Sequence, residues 1–459
     1  MQRDALKHLS DWQKTARHKP LLFRGARQVG KTHLIQTFGK QHFKNVVTVN
    51  FEKQPAACAL FEADLDPRRI INEISLLGKN APITVGNSLL FFDEIQACPK
   101  AITALRYFYE DLPDLHVIAA GSLLEIGLTQ TAIAFPVGRI ASVYLYPLSF
   151  CEFLSAVGQA ALRTHLEHVS LANPLSETIH EHAMALVKQY CLVGGMPEVV
   201  ATFAEHGQLN ACEQYQNTLI DTFRSDFAKY ARQMHWTRMH KVFDYCARSI
   251  GQKITYSKID PNEKSRDLSQ ALQLLAMAQV VQLVQASSGT GLPLSALASA
   301  KHAKALFLDI GLAQCIGQLQ AELVFTKQLS QVNQGALAEQ FVGQELLANA
   351  PAHQASHLYY WTTEAKSNQS EVDFLIQVKN QIVPLEVKSG TKGSLKSLHQ
   401  FLKTYRLGHA IKVSAQPLSV EDHEVRVLPE RNKIKYKLLN LPFYLLHHRK
   451  LMEEFIGTR

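Results

Sequence analysis

The sequence lacks the marks of a secreted, disulfide-bonded or membrane-spanning protein. Its 459 residues include only seven cysteines, and none of them forms a Cys-x-x-Cys pair. This pattern argues against zinc and against a disulfide framework, and it favours a reducing compartment. No apolar run approaches the ~20 residues that span a bilayer, and the segment after Met1 has no apolar stretch typical of a signal peptide. We therefore expect a cytoplasmic protein with no membrane partner.

Low-complexity tracts and internal repeats are absent as well, and the charge is only mildly biased. The composition is 46% hydrophobic and 19% charged, with a net charge of +8 and an isoelectric point near 9.0. A chain of this length exceeds what one hydrophobic core usually serves, so we expect roughly two or three domains. The small basic excess is compatible with a nucleic-acid partner.

The most informative feature that is present is a glycine-bounded segment near the amino terminus. It matches the phosphate-binding pattern G-x-x-x-x-G-K-[ST] and consists of Gly25, Ala26, Arg27, Gln28, Val29, Gly30, Lys31 and Thr32. An apolar run over residues 20–23 predicts a buried strand before it, and residues 31–40 predict a helix after it. In such a loop, backbone amides and the helix amino terminus point at phosphate. We expect Lys31 to reach the β- and γ-phosphates of ATP and the Thr32 hydroxyl to bind Mg²⁺.

Two further strands predict the rest of a nucleotide site. The apolar run 88–92 ends in Asp93 and Glu94, a pattern in which the aspartate binds Mg²⁺ through water and the glutamate polarises the attacking water. The next strand, 116–120, is followed by Ser122, where P-loop ATPases with an additional strand keep a sensor of the γ-phosphate. A serine after glycine is also a common turn residue, so both interpretations of Ser122 stay open.

The middle of the chain predicts helices and then a winged-helix order. Residues 150–235 favour helices, interrupted at 194–198. From 236 to 300 the pattern predicts helix, helix, strand and turn, and the second helix, 268–278, is the candidate DNA-recognition helix. That helix is apolar and poor in arginine and lysine. Because winged helices also dock proteins, a DNA-contacting role and a packing role remain alternatives.

The last third of the chain carries a second set of chemically active residues. Residues 371–378 and 381–388 predict a hairpin. Glu386 and Lys388 then share one face, because alternate strand residues point the same way, and the pairing brings Asp373 beside them. This is the set used by restriction-endonuclease-like nucleases, in which carboxylates hold Mg²⁺ or Mn²⁺ and the lysine orients water. The alternative is a solvated face with cross-strand ion pairs.

Two other segments are candidates for contacts at this end of the chain. A helix near 335–345 carries Glu339 and Glu345 on different sides, and we favour Glu339 as the residue that faces the metal. In residues 431–437 every odd position is basic. As a strand this forms one basic face, which either follows phosphates or guards an edge strand against aggregation.

As a whole the chain resembles prokaryotic AAA-type P-loop ATPases that carry a restriction-endonuclease-like carboxy-terminal domain, formerly of unknown function. The matching stretches are residues 22–32, 91–96, 120–122, 137–139, 146–153, 194–198, 307–312, 371–374 and 385–388. The resemblance implies an α/β protein with a P-loop parallel sheet of the additional-strand type. Its expected domains are an ATPase domain (1–150), a helical region (151–235), a winged helix (236–325) and a nuclease-like domain (326–459).

The resemblance also makes Arg139 a candidate arginine finger that acts on the ATP of a neighbouring subunit, which would require a homo-oligomer. A local structural salt bridge is the alternative role for this residue. Three functions fit these expectations. We favour an ATP-hydrolysing protein that acts on DNA through a nucleotide-controlled, metal-dependent nuclease-like domain. The others are an ATPase switch whose carboxy-terminal domain binds without cutting, and a STAND-like signalling ATPase that docks a protein.

Overall fold

The computed structural model describes residues 1–77, 82–122, 124, 135–230, 233–318, 335–363, 370–389, 394–427 and 432–457. The chain divides into two compact units. The first comprises Met1–Tyr146, Gln273–Val280 and Ala350–Ala355, and the second comprises Pro147–Leu272, Val281–Asn349 and Ser356–Arg459. The predicted domain boundary at 325 and Arg431 of the basic segment lie outside the described residues.

The first unit is built on a five-stranded parallel sheet with the order β2-β3-β4-β1-β5. Its strands are β1 (Leu21–Arg24), β2 (Asn45–Asn50), β3 (Ser88–Asp93), β4 (His116–Ala120) and β5 (Ala141–Tyr144). Its helices are α1 (Ala5–Gln13), α2 (Lys31–His42), α3 (Pro67–Leu77) and α4 (Pro99–Asp111). Every residue of β3 and β4 is buried, as expected for the centre of a parallel sheet. The predicted additional-strand arrangement is confirmed, since β4 separates β1 from β3.

An aromatic cluster fixes the end of β3 that carries the acidic pair. The ring of Phe92 lies 5.7 Å from that of Phe51 and 5.8 Å from those of Phe61 and Phe108. All four rings are buried, and edge-to-face packing adds to their area of burial. Asp93, the next residue, is therefore held in place by the core directly beneath it.

The second unit contains an eight-stranded mixed sheet with the order β12-β13-β11-β10-β9-β8-β6-β7. Its strands are β6 (Val281–Ser287), β7 (Ala298–Phe307), β8 (Leu358–Thr362), β9 (Glu371–Val378), β10 (Gln381–Val387), β11 (His409–Ser414), β12 (Ser419–Val427) and β13 (Asn432–Pro442). The helices that follow α4 along the chain are α5 (Phe150–Ala156), α6 (Ala160–Leu166), α7 (Glu177–Val193), α8 (Pro197–His206), α9 (Leu209–Tyr230), α10 (Gln233–Arg248), α11 (Tyr256–Ile259), α12 (Ser265–Met277), α13 (Ile310–Gly317), α14 (Ala336–Ala348), α15 (Lys396–Tyr405) and α16 (Arg449–Gly457).

The hairpin predicted as a wing is part of this sheet. Strands β6 and β7 pair with each other in antiparallel fashion, and β6 also pairs with β8 in parallel fashion. The sheet therefore takes strands from both sides of the predicted boundary at 325. Helices α10 and α12 precede the hairpin in the predicted order, with the short helix α11 between them, and the winged-helix assignment stays a prediction.

The basic segment of β13 is partly neutralised by its neighbour. Lys433 Nζ lies 2.6 Å from Glu424 of β12, and Lys435 Nζ lies 3.8 Å from the same carboxylate. The edge-strand alternative for this segment is wrong, because β12 pairs along β13 and is itself the outer strand. Strand β13 is an inner strand because β12 pairs with one of its sides and β11 with the other.

At the end of α7 the backbone of Gly194 lies very close to the side chain of Asp309. Gly194 has φ +80°, and a Cβ there would lie 2.1 Å from Asp309 Oδ1. The Gly195 amide donates to Asp309 Oδ2 at 2.6 Å, and the Gln344 side chain donates to the same oxygen at 3.2 Å. Asp309 is fully buried, and burial raises its pKa to about 6. A buried carboxylate thus joins α13, α14 and the 194–195 turn through satisfied hydrogen bonds.

Gly194→Ala is expected to lower the free energy of unfolding of the second unit by more than about 3 kcal/mol. The new methyl group overlaps the Asp309 carboxylate, and alanine strains the left-handed backbone. The matched control is Gly207→Ala, since Gly207 also has a positive φ of +66° but has open space around its Cβ position. Urea unfolding of both variants measures the difference. Equal losses in the two variants would contradict the role given to the close approach.

Candidate nucleotide site and carboxylate cluster

The phosphate-loop segment lies between β1 and α2. Gln28 and Gly30 have positive φ angles, +64° and +92°, which curl the backbone before the helix begins at Lys31. A Cβ at Gly25 would lie 2.3 Å from the Leu145 carbonyl oxygen, so glycine is required where β1 leaves the sheet. We expect the amides of this loop and the α2 amino terminus to bind an anion together.

Arg3 is hydrogen-bonded to the backbone of this loop. Its guanidinium donates to the Val29 carbonyl at 2.9 Å and to the Tyr146 carbonyl at 2.6 Å. The side chain is buried, so both hydrogen bonds are shielded from water. Arg3 was not predicted as a site residue, because nothing in the sequence around it points to a partner so far along the chain.

The Lys31 side chain folds back onto the loop that precedes it. Its Nζ donates to the carbonyl oxygens of Gly25 and Ala26, both at 2.8 Å. Burial lowers the Lys31 pKa to about 8, although the nearby carboxylates of Glu94 and Asp93 act in the opposite direction. The amine is thus poorly solvated and positioned within the loop, where a phosphate oxygen would be a better partner than a carbonyl.

Asp93, at the end of β3, meets Thr32 in the first turn of α2. The Thr32 hydroxyl lies 3.1 Å from Asp93 Oδ1, and Asn50, at the end of β2, donates to Oδ2 at 2.9 Å. Burial and the neighbouring Glu94 raise the Asp93 pKa. Hydroxyl and carboxylate oxygens are the ligands that Mg²⁺ prefers, so this pair fits the predicted ion. Asn50 was missed, although its position at the end of a neighbouring parallel strand could have indicated it.

Glu94 follows in a left-handed conformation, with φ +50°. Strained backbone of this kind is concentrated at functional sites. Its Oε2 accepts a hydrogen bond from Gln96 Nε2 at 2.7 Å and lies 3.5 Å from the Ser122 hydroxyl. A Cβ at Gly121 would meet Gln96 Oε1 at 2.4 Å, so the tip of β4 approaches this side chain closely. The structure therefore groups Glu94 and Ser122 and adds Gln96, which was not predicted.

Arg139 forms a local ion pair. Its Nε lies 2.7 Å from Glu110 Oε1, and this hydrogen bond raises the Arg139 pKa. The side chain is 46% exposed, and Val137 beside it is 83% exposed. A solvent-exposed pair of this kind is weak and easily exchanged. The observed contact is the salt bridge that was the alternative role, and action on a neighbouring subunit stays a prediction.

We expect the affinity for ATP to fall by up to about tenfold per pH unit above pH 8. The Lys31 pKa is about 8 without a phosphate partner, so at higher pH the amine must first gain a proton to bind the triphosphate. Titration with a fluorescent ATP analogue between pH 7 and pH 10 measures this slope. Lys31→Arg keeps its charge throughout and should give a flat profile. A flat profile for the wild-type protein would contradict the expectation.

The second unit brings the predicted nuclease-like residues together at one end of β9 and β10. Asp373 Oδ2 accepts a hydrogen bond from the Val387 amide at 2.8 Å, and Lys388 Nζ lies 2.6 Å from Glu386 Oε1. Glu386 is only 5% exposed. Burial, and then the charge of Asp373, raise the Glu386 pKa, whereas Lys388 acts to lower it. Glu386 is therefore buried within the sheet and is not part of a solvated face.

Glu339, in the first turn of α14, joins this carboxylate cluster, whereas Glu345 does not. Glu345 accepts a hydrogen bond from the Phe150 amide at 2.8 Å and so faces another part of the core. Glu339 lies beside Lys304 of β7, which was not predicted, with Nζ and Oε2 3.1 Å apart. Burial and the charge of Asp373 raise the Glu339 pKa. We use the name carboxylate cluster for Glu339, Glu371, Asp373 and Glu386.

The carboxylate cluster is not arranged around a metal ion. Among the residues that the structure describes, no group of three or more histidine, cysteine, aspartate or glutamate side chains has the geometry of a metal site. Lysine side chains lie against Glu339, Glu371 and Glu386, and Asp373 is bonded to a backbone amide. The arrangement as it stands does not fit Mg²⁺ or Mn²⁺, and no cleavage step follows from it.

Three protein-family models match successive parts of the chain. Residues 17–154 match an AAA domain. Residues 184–323 and 334–432 match two domains of unknown function, DUF8612 and DUF4143. No curated protein matches the chain. The nuclease-like character of the carboxy-terminal domain is thus not established by its family.

Solved structures with similarity to the chain are distant. A Walker-type ATPase of Pyrococcus abyssi, PABY2304, is 15% identical, with a TM-score of 0.43 over 68% of this chain and 94% of that one. The ORC2 protein of Aeropyrum pernix is 12% identical, with a TM-score of 0.33 over 70% and 92%. The RuvB Holliday junction branch migration motor of Thermotoga maritima is 13% identical, with a TM-score of 0.29 over 61% and 89%.

Within the described ranges, no helix is both long and apolar enough to cross a membrane.

The assignment of the first unit depends on its own geometry and on the family match. The parallel sheet order, the curled loop before α2, and Asp93 and Glu94 at the end of β3 coincide with the range of the AAA match. Residues 17–154 of this chain are therefore an AAA domain of the P-loop ATPase class.

Proposed function

We propose that this chain hydrolyses ATP and that the nucleotide state controls a module that binds DNA. The proposal of ATP hydrolysis is supported by three contacts that lie together at the carboxyl edge of the five-stranded parallel sheet. These are Lys31 within the curled loop, the Thr32–Asp93 pair, and Glu94 beside Ser122. Each contact has one role in phosphoryl transfer, and none is needed merely to pack the core.

The chemistry follows from these positions. Lys31 exchanges its two carbonyl partners for β- and γ-phosphate oxygens and offsets their charge. Thr32 and Asp93 would hold Mg²⁺, which supplies electrostatic stabilisation of the phosphates when bound. Glu94 orients the attacking water and accepts its proton. Gln96 and Ser122 hold the Glu94 carboxylate, so Ser122 can couple its position to the presence of the γ-phosphate. Arg139 would act from a neighbouring subunit of a homo-oligomer after releasing Glu110.

Segregation of charge around the amino end of α12 supports DNA as the partner of the second unit. The acidic side chains of this region are paired with α10. Arg238 lies 2.7 Å from Glu263 and 2.9 Å from Asp267, and Lys241 lies 2.6 Å from Asp260. These pairs neutralise the acids on the side that faces α10.

The basic side chains of the same region face solvent. Lys258, Lys264 and Arg266 are exposed, and within the described part of the chain no carboxylate forms an ion pair with them. The amino-terminal end of the second helix is the part that enters the major groove in helix-turn-helix proteins. The outward charge at this end is therefore positive, although the helix as a whole is poor in basic residues.

The charge-reversal variant Lys264→Glu/Arg266→Glu is expected to weaken binding to duplex DNA by at least about tenfold and to reduce the salt dependence by about two counterions. Lys7→Glu/Lys14→Glu is the matched control, because it makes the same change in net charge on exposed residues of the first unit. Fluorescence anisotropy at several salt concentrations measures both. Equal loss in the two variants would remove α12 from the DNA interface.

A metal-dependent nuclease is the second candidate, because Asp373, Glu386, Lys388 and Glu339 lie together, although their present arrangement does not fit a metal ion. The lysine contacts within the carboxylate cluster favour binding without cleavage. Wild-type protein and Asp373→Ala should be compared on linear, nicked and branched DNA with Mg²⁺ or Mn²⁺. Cleavage by the wild-type protein that is lost in the variant would support the nuclease. Inertness on every substrate would leave the ATP-dependent binding function.

A further inference from the structure

A buried lysine that the proposed function does not use lies at the centre of the carboxylate cluster. Lys304 is only 2% exposed, although an isolated charged amine is costly to bury. Its Nζ lies 3.1 Å from Glu339 and 2.5 Å from Glu371. The amine also lies 5.2 Å from the centre of the Tyr360 ring, a cation–π contact. Lys304 comes from β7, whereas Glu371 comes from β9 and Glu339 from α14, so one amine joins three elements.

The charges of the cluster nearly balance without any added ion. Four acids, Glu339, Glu371, Asp373 and Glu386, lie with three lysines, Lys253, Lys304 and Lys388. When all four acids are ionised, the formal charge of this set is −1, and the Val387 amide donates to Asp373. A divalent cation added to the set would leave a formal excess of one positive charge. Burial of an unpaired charge is strongly unfavourable, so a divalent ion and the Lys304 amine compete for one place.

The surroundings of the Lys304 amine indicate that the native cluster favours this amine over a divalent ion. Its Nζ already lies within ion-pair distance of Glu339 and Glu371, so the amine occupies the place that a bound ion would need. It is tethered to the sheet, and so it binds the carboxylates without the loss of translational freedom that a free ion incurs. The Tyr360 ring provides a further face that attracts a cation.

We propose that Lys304 takes the place of a divalent cation in the carboxylate cluster, so that the native site is closed to Mg²⁺ and Mn²⁺. The second unit then needs no metal to neutralise its buried acids. Removal of the amine leaves an excess of two negative charges, which one divalent ion balances. In Lys304→Met, Glu339, Glu371 and Asp373 can therefore rearrange around a divalent ion, whereas Lys304→Arg keeps the cluster closed.

The test is titration of the full-length protein with Mn²⁺ alone, without nucleotide, by calorimetry and by electron paramagnetic resonance. We expect Lys304→Met to bind one Mn²⁺ on the order of a hundredfold more tightly than the wild-type protein. Lys304→Arg, which preserves charge, should behave as the wild-type protein does. The added Mn²⁺ site should disappear in Lys304→Met/Asp373→Asn, which distinguishes the cluster from the phosphate-loop segment.

Two outcomes overturn the proposal. One is Mn²⁺ binding by the wild-type protein that Asp373→Asn abolishes, because it shows that the native cluster accepts a metal beside Lys304. The other is a folded Lys304→Met variant that gains no Mn²⁺ affinity. If Lys304→Met does not fold, the wild-type titration against Asp373→Asn decides alone, and absence of a cluster-dependent site supports the proposal. None of these readouts depends on ATP hydrolysis or DNA binding.

Discussion

Lys31→Ala is expected to abolish measurable binding of ATP and ADP. The amine donates to two carbonyl oxygens of the loop 25–32, where phosphate would lie. Truncation of one partner of a buried charge pair costs about 2–5 kcal/mol, a loss of roughly thirtyfold to several thousandfold in affinity. Equilibrium binding of a fluorescent nucleotide measures the effect.

The matched control for this prediction is Lys40→Ala. Lys40 lies on the same helix, α2, but is exposed. Its removal changes the net charge equally and leaves the loop intact, so nucleotide affinity should change by less than about threefold. Unchanged affinity in Lys31→Ala would refute the assignment of the phosphate-loop segment, provided that the variant keeps the thermal stability of the wild-type protein.

Glu94→Gln is expected to bind ATP normally and to hydrolyse it about 10²–10⁴ times more slowly. The amide oxygen can still accept the hydrogen bond that Gln96 donates at 2.7 Å, so the local geometry is retained. The neutral amide cannot accept a proton from water. Single-turnover hydrolysis of radiolabelled ATP, measured beside nucleotide affinity, separates the chemical step from binding.

Glu62→Gln serves as the control for Glu94→Gln. Glu62 is an exposed acid of the same unit, and its contact is an ion pair with Lys100 at 2.5 Å. The substitution removes the same charge away from the predicted water, and turnover should stay close to the wild-type value. Normal turnover in Glu94→Gln would remove Glu94 from the role of base and would direct attention to Gln96 and Ser122.

Local patterns were sufficient where a feature depends on neighbours in sequence. The glycine and lysine spacing of residues 25–32 predicted the loop between β1 and α2, because the required backbone angles belong to those residues themselves. The hairpin predicted over 371–378 and 381–388 is confirmed, since the structure places β9 at 371–378 and β10 at 381–387. Since parallel strands end at one edge, the approach of Asp93 to Thr32 also followed from the order of elements.

Contacts between distant segments could not be inferred in this way. Lys304 lies in a sequence that reads as an ordinary strand, and only the order β9-β8-β6-β7 brings its amine to the carboxylates. The hairpin β6–β7 was expected to stand as a wing, yet β6 pairs with β8. Arg3 reaches Val29 and Tyr146 through packing alone. In each case the contact is stabilised by burial to which several segments contribute, so the sequence of one segment does not predict it.

The sequence by itself determined the class of the first unit, because a curled phosphate loop and a buried strand ending in two acids are properties of short segments. Only the tertiary structure decided the character of the second unit. Its acids meet because strands and a helix far apart in the chain converge, and they pair with Lys304 of β7, with Lys253 between α10 and α11, and with Lys388 just beyond β10. The charge count of a buried site depends on everything that surrounds it, and that information exists only once the chain has folded.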